Sequence, residues 1–260
     1  MNQFETVLYS VENRVATIRM SRPDARNAFS TALRRDMMEA IRQADSDDDV
    51  RVVVIAAEGR GFSAGADLVD GMPSQAQVSD HIEEEYKPFL MMIHESSKLY
   101  ISSIQGAAAG GGSAVAMVCD LSIMADNGYI YMAFATLGLV PDCGASWHLV
   151  NQLGYKRALQ KVVEAEKISA KECLELGLVN KVVAADTLVE ETQAWAEKLA
   201  LGAPLAQRYA KEILRRGMGM TLSEVIDLEG QRQNITLASK DAMEGGMAFF
   251  EKRQPKFSGQ

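Results

Sequence analysis

The chain has 260 residues, 47% hydrophobic and 24% charged, enough apolar material for one large domain or a domain with an appendage. Its 27 basic and 35 acidic residues leave a net charge of −8, which argues against a general binder of nucleic acid or acidic membrane. Cys119, Cys143 and Cys173 are widely separated and form neither a metal-binding spacing nor a disulfide framework. The opening MNQFETVLYS lacks a signal-peptide pattern and no apolar run is long enough to span a bilayer, so a cytoplasmic setting is expected.

In chain order, Thr6–Val11 and Arg14–Met20 read as two strands of a hairpin turning at Glu12-Asn13. After a proline-containing loop, Ser30 or Thr31 can cap a helix over Ala32–Asp45, whose Leu33, Met37, Ala40, Ile41 and Ala44 share one face. Val50–Ala57 is almost wholly apolar, as in a strand covered on both sides. The glycine-rich loop EGRGFSAGADLVDGMPS follows, then a helical stretch from Val78 to about Lys98 that Pro88 should kink or split. Strands are expected near Ile101–Ile104, over Leu121–Ala125 and at Ile130–Met132. From Gly144 onward helical patterns dominate, over Ala145–Leu153, Lys156–Glu164, Ala170–Leu176, Thr187–Leu201, Leu205–Gly217, Leu222–Ser239 and Ala242–Arg253, with one short strand at Leu178–Val183. The order is that of an α/β protein, with residues 1–200 forming the core and 201–260 a helical appendage. Phe249 and Phe250 are large and apolar, so that appendage should pack on something, such as a neighbouring subunit.

The most distinctive stretch is Ile104–Asp120, a strand followed by four glycines within Gly106–Gly112 and then a small, apolar helix start. The first turn of a helix has unpaired N–H groups and the positive end of the dipole, and glycines allow another group to approach that backbone. Such a site can hold a negatively charged oxygen with main-chain donors; tight helix packing without a ligand explains the glycines equally well. Gly61-Phe62-Ser63-Ala64-Gly65 matches a G-x-S-x-G nucleophile elbow, but Glu58-Gly59-Arg60 separates it from the preceding strand and Gly71, Pro73 and Ser74 interrupt any helix after it. The better use of this loop is as the partner of Gly110–Gly112, each presenting one N–H to the same oxygen. No dinucleotide or phosphate-loop signature is present, and His81, His94 and His148 have no metal-ligand spacing.

With the two loops paired, the sequence resembles the crotonase family, the enoyl-CoA hydratase/isomerase superfamily. The likeness rests on RPDARNAFS (22–30), GFSAGADL (61–68), IQGAAAGGGSAVAMVCDLSIMAD (104–126), LGLVPDCG (137–144) and FFEKRQPKF (249–257), and spans nearly the whole chain. It implies a crotonase-like spiral of ββα units, a homotrimer or dimer of trimers joined through the C-terminal helices, an acyl-CoA thioester substrate, and no cofactor or metal beyond the CoA of that substrate. By motif position, the oxyanion donors would be the N–H groups of Ala66 and Gly111. Ala25, Arg26, Asn27, Ala28, Ala64, Asp67 and Leu68 fall where the family grips CoA, and Phe249 and Lys252 where a tail completes that site.

The departures are informative. The two positions at which hydratases carry glutamates are Ala114 and Phe134, so efficient hydration is not expected. One carboxylate, Asp142, matches the position of the single acid/base in some isomerases of the family; the closest motif likeness is to 1,2-epoxyphenylacetyl-CoA isomerases and Δ3,Δ2-enoyl-CoA isomerases. Without that likeness, Asp142 reads better as a helix N-cap before Gly144-Ala145-Ser146; the family position tips the reading to acid/base. A double-bond isomerase is the favoured reading. A hydratase with another acid, or a non-catalytic acyl-CoA-binding or RNA-binding relative, are the alternatives, and the negative charge weighs against RNA. Met72, Phe89, Met91, Met92 and Phe134 are candidates for an acyl pocket, although such residues more often fill cores.

Overall fold

The computed structural model describes residues 4–70 and 78–260. Strands β1 (Val7–Glu12) and β2 (Val15–Met20) pair antiparallel. The turn lies one residue later than expected, on Asn13 and Arg14, at φ 50° and 67°, the left-handed pair whose twist suits a two-residue hairpin. β3 (Val52–Ala57), β4 (Leu99–Ile104), β6 (Leu121–Ala125) and β9 (Lys181–Val183) continue the sheet in parallel, in the order β1-β2-β3-β4-β6-β9. β3 explains why its sequence shows no polar face. Val53 and Ile55 enter the main core with α1 (Thr31–Ser46), while Val52, Val54 and Ala56 enter a second core closed by Leu188, Ala196 and Ala200 of α8 (Leu188–Ala200). Ser30 caps α1, its hydroxyl accepting from the N–H of Leu33 at 3.2 Å.

A second, smaller sheet crosses the ends of the first layer: β5 (Ala107–Ala109), β7 (Tyr129–Tyr131) and β8 (Lys167–Ser169). Single bridges, Ser63 to Ala108 and Phe29 to Ala66, extend it across the two glycine-containing loops. Neither β5 nor β8 was expected. Ala107-Ala108-Ala109 has no β-forming side chains, and three residues of Lys167-Ile168-Ser169 are too few for a period; their backbone pairing defines them.

The helical stretch before β4 runs through α2 (Val78–His81), a π turn at Ile82–Tyr86 and α3 (Lys87–Glu95). Pro88 has no N–H for the Glu84 carbonyl, and the wide turn just before it, where the Lys87 N–H reaches back to Ile82, absorbs that loss. α4 (Gly111–Val118), α5 (Ala145–Leu153), α6 (Tyr155–Glu164) and α7 (Ala170–Glu175) follow. Beyond α8, the helical appendage is not uniform. α9 (Pro204–Gly217) is tied to the core through Asp120, which receives Lys211 Nζ at 2.9 Å, Arg215 Nη2 at 2.8 Å and the N–H of Tyr100 at 2.8 Å. α10 (Leu222–Leu237) clips to α9 by Arg232 Nε on Glu212 at 2.8 Å, and α11 (Lys240–Glu251) leaves Phe249 and Phe250 at least 80% exposed. No described helix is long and apolar enough to cross a membrane.

Removing Asp120 leaves two largely buried cations without their counter-charge. Asp120→Ala should lower stability by roughly 3 kcal/mol, as expected for breaking a buried ion pair. Urea unfolding checks this; a midpoint equal to the wild type would show that α9 docks without the pair.

Candidate active site

The two loops meet where the small sheet passes between them. In the bridge to Phe29, the Gly65 carbonyl accepts the Phe29 N–H at 2.8 Å and the Asp67 N–H donates to the Phe29 carbonyl at 3.3 Å. That parallel pattern turns the intervening Ala66 N–H towards the opposite edge, where Ser63 pairs with β5. On the other loop, Gly110 donates to the Tyr131 carbonyl at 3.0 Å and α4 begins at Gly111, whose N–H lies in the first helical turn and has no partner within the helix. Among the described residues no protein acceptor takes either the Ala66 or the Gly111 N–H.

Gly65 makes the approach possible. Its φ is +92°, and a Cβ there would stand 2.9 Å from the Ala109 carbonyl oxygen and 3.2 Å from the Gly111 nitrogen. The same closeness disposes of the nucleophile elbow. Ser63 is buried, its hydroxyl donating to the Asn27 carbonyl at 2.8 Å and accepting from the Gly65 N–H at 3.1 Å. It is a brace beneath the loop.

The 22–30 loop lies alongside. Arg26 and Asn27 are left-handed, at φ 52° and 53°, and the Arg26 carbonyl accepts the Ala64 N–H at 3.0 Å, so Ala25, Arg26, Ala28 and Ala64 are gathered in one place. Asn27 is fully buried. Its amide donates to the carbonyls of Glu58 and Gly61 at 2.9 and 3.0 Å and accepts from the Arg22 N–H at 2.9 Å, so its side chain locks the two loops together. Asp67 is held by Arg22 Nη1 at 2.8 Å and by the N–H groups of Val69 and Asp70. Burial pushes its carboxyl up, but these bonds outweigh it and leave the group below its usual range. Leu68 is 61% exposed beside them. Phe249 lies on α11 and Lys252 is its left-handed C-cap, and among the described residues neither makes a hydrogen bond or ion pair to these loops.

The departures also sit at the site. The Phe134 ring is 3.9 Å from the place a Gly110 Cβ would occupy, so one wall of the oxyanion loop is apolar. Ala114, three residues along α4 from Gly111 and fully buried, offers only a methyl group. On the other side, Tyr86 Cε1 is 4.0 Å from the corresponding point on Gly111. Tyr86 was not singled out by the sequence. It is buried, accepts from Arg34 Nη1 at 3.3 Å and has the Arg34 guanidinium 4.9 Å from its ring centroid; burial raises its pKa to about 12. Arg34 is itself buried and paired with Glu85, which also contacts His81 Nδ1 at 3.2 Å. A negative charge on Asp142 adds to the upward push on the Tyr86 hydroxyl, behind burial as the main cause.

Asp142 is not a cap. The N-cap of α5 is Gly144, at φ +81°, with no side-chain cap bond, and only the Asp142 main-chain carbonyl meets the helix, accepting the Ala145 N–H at 2.9 Å. Cys143 before it is also left-handed, at φ 51°, costly for a residue with a Cβ. These two residues swing the chain so that Asp142 precedes the helix with its carboxylate making no cap bond. Burial lifts that carboxyl above its usual range, against the pull of the Cys143 thiol and its own backbone. Among the acyl-pocket candidates, Phe89 is core, stacked on Phe29 at 5.9 Å; Met91 lines a cavity behind Cys143; Met92 is partly buried against the core; Met72 lies outside the described residues.

The sequence model of the enoyl-CoA hydratase/isomerase family matches residues 10–260. A Rhodobacter capsulatus protein named "probable enoyl-CoA hydratase" is 33% identical over 257 residues, covering 99% of both chains. The 1,2-epoxyphenylacetyl-CoA isomerase of Escherichia coli is 32% identical over 260 residues, covering 98% of this chain and 99% of its own. The crystal structure of an enoyl-CoA hydratase from Bacillus anthracis superposes with a TM-score of 0.94 at 30% identity, over 98% of this chain and all of that one. Two glycine-braced loops, a layered α/β spiral and this agreement over the full length lead to one assignment: the chain belongs to the enoyl-CoA hydratase/isomerase superfamily, the crotonase family.

Proposed function

We propose that this family member is an enoyl-CoA isomerase that moves a double bond with a single carboxylate, Asp142. The observation that supports the reading is that, among the described residues, two N–H groups without a protein acceptor, on Ala66 and Gly111, lie on loops that meet at Gly65, while Asp142 is the one carboxylate at a matching family position and Ala114 and Phe134 stand where hydratases carry glutamates. The thioester oxygen accepts from both N–H groups. The Asp142 carboxylate removes a proton from C2 of a 3-enoyl thioester, and the electron pair of that C–H bond delocalises into a dienolate whose oxygen carries the charge. The same acid, now protonated, returns the proton at C4, giving the conjugated 2-enoyl thioester. No cofactor enters this cycle. Adding water would require a second group to position it, and Phe134 makes that wall apolar.

The elevated pKa of Asp142 suits both halves. A carboxylate held above its usual range is a stronger base when ionised and still gives the proton back. Ala25, Arg26, Ala28, Ala64, Asp67 and Leu68 are proposed to hold the CoA arm, with Asn27 acting through the loop it braces. The exposed Phe249 and Lys252 are proposed to meet a neighbouring subunit's CoA site in a homotrimer or dimer of trimers, with α10 and α11 at the interface.

Asp142→Asn should lower kcat for 3-enoyl-CoA isomerisation by about 10²- to 10⁴-fold, the usual worth of a positioned acid/base, while acyl-CoA binding persists. Unchanged turnover would remove Asp142 from the mechanism. Crotonyl-CoA hydration assayed on the same protein tests the hydratase reading: hydration faster than isomerisation would replace the one proposed here.

The pH dependence follows from the sign of the shift. kcat/KM should fall on the acid side through a pKa above the ordinary carboxylate range, because the ionised form is the base. A carboxyl whose folded pKa is raised favours the fold at low pH, and that contribution is lost as pH rises past the folded value. At neutral pH the ionised group is therefore a cost, and Asp142→Asn should have a Tm equal to or above that of the wild type by calorimetry. A lower Tm would mean that the carboxylate supports the fold.

A further inference from the structure

Behind the proposed reaction site lie two adjoining cavities. The first, of about 430 Å³, begins at Cys143 and Gly144, directly after Asp142, and continues between α3 and α5 past Leu90, Met91 and Val118. The second, of about 450 Å³, lies beneath α9 and is walled by Met117, Leu199, Leu214 and Met218. Each has the size of a small-molecule site. They share His94, Trp147 and His148. These rings form a row, His94 to Trp147 at 5.8 Å and Trp147 to His148 at 4.9 Å between centroids, both edge-to-face. Gly144 brings no side chain into the first cavity, and His148 Cδ2 lies 4.0 Å from where a Cβ would stand.

We infer that the acyl chain of the substrate runs from Asp142 through the first cavity and past the His94–Trp147–His148 row into the second, so that the protein takes long, uncharged acyl tails and Trp147 sets the length it accepts. This rests on the thioester position proposed above. The second cavity contains Lys211 and Arg215, yet neither is free to meet a negatively charged tail. Lys211 is spent on Asp120 and the Lys98 carbonyl, and Arg215 on Asp120 and the carbonyls of His94 and Val118. The two histidines add no charge at neutral pH, since burial lowers His94 and brings His148 to about 4. Lys87, at the edge of the first cavity, is exposed and paired with Glu83 at 2.7 Å, and Asn151, Gln152 and Gln207 add neutral polar groups to the second, so among the described residues no unpaired cation faces an acyl tail and the rest of the lining is largely apolar. Trp147 is 46% exposed and touches both imidazoles edge-to-face, so it stands at the junction of the two cavities, where its bulk limits what passes.

The test uses saturated acyl-CoAs, which cannot isomerise, bound to the full chain. In the wild type, Kd should continue to fall from butyryl- through octanoyl- to hexadecanoyl-CoA. Leu214→Trp, at an exposed position on the wall of the second cavity, should weaken hexadecanoyl-CoA relative to butyryl-CoA by about tenfold, the worth of roughly two buried methylenes. Trp147→Ala should shift the same ratio the other way. If hexadecanoyl-CoA binds no more tightly than octanoyl-CoA, or if both variants keep the wild-type ratio, the chain does not pass the row and the inference falls. Failure of the isomerase reading would appear elsewhere, as absent turnover of a short 3-enoyl-CoA with this chain-length dependence intact.

Discussion

The close approach of Gly65 to the Ala109–Gly111 turn is the constraint on which the site depends. A single methyl at Gly65 would collide with backbone on the opposite loop, 2.9 Å away, and the two loops would have to part. Much of the surrounding structure serves this contact. Asn27 locks the 22–30 loop to the carbonyls of Glu58 and Gly61, Ser63 ties Asn27 to Gly65, and the Ser63–Ala108 bridge joins that assembly to β5. Every one of these polar groups is buried and spent. The Ala66 and Gly111 N–H groups are the ones left over, and a preorganised pair of main-chain donors costs no rearrangement when charge develops on an oxygen between them.

The chemistry available beside that pair is narrow. Phe134 and Ala114 bring no proton and no anchor for water, whereas Asp142 brings a proton-transferring group that the backbone delivers at some expense. Cys143 takes a left-handed conformation that a glycine would adopt more easily, and the result is an acid set before a helix it does not cap. The strained residue stands next to a partly buried carboxyl, so the fold keeps this placement at a cost in stability. Cys143 also lines a cavity whose walls include Leu90, Met91 and Val118.

The sequence disclosed the parts of this arrangement that have local signatures. The apolar run of β3, the Ser30 cap and the hydrophobic face of α1 were legible because side chains alone specify them. The glycines of both loops were visible, and pairing the loops rested on each being glycine-rich and following a buried strand; naming the Ala66 and Gly111 N–H groups took the family likeness, since nothing in a linear order says that Gly65 meets Gly111. What escaped was defined by tertiary partners. β5 and β8 exist through backbone pairing. Arg34 and Tyr86 look like an ordinary surface cation and helix aromatic until Glu85 and the Phe29 carbonyl enclose them. Asp142 shows the ambiguity most clearly, since an acid before Gly-Ala-Ser is the pattern of a cap, and only the φ values of Cys143 and Gly144 reveal that the helix starts without it.

The central claim is that the Ala66 and Gly111 N–H groups receive a thioester oxygen with Asp142 beside its α-carbon. A crystal structure with bound octanoyl-CoA tests it most directly. The carbonyl oxygen is expected within hydrogen-bonding distance of both nitrogens, with an Asp142 oxygen near C2. A bound ester whose carbonyl lies away from both N–H groups would contradict it.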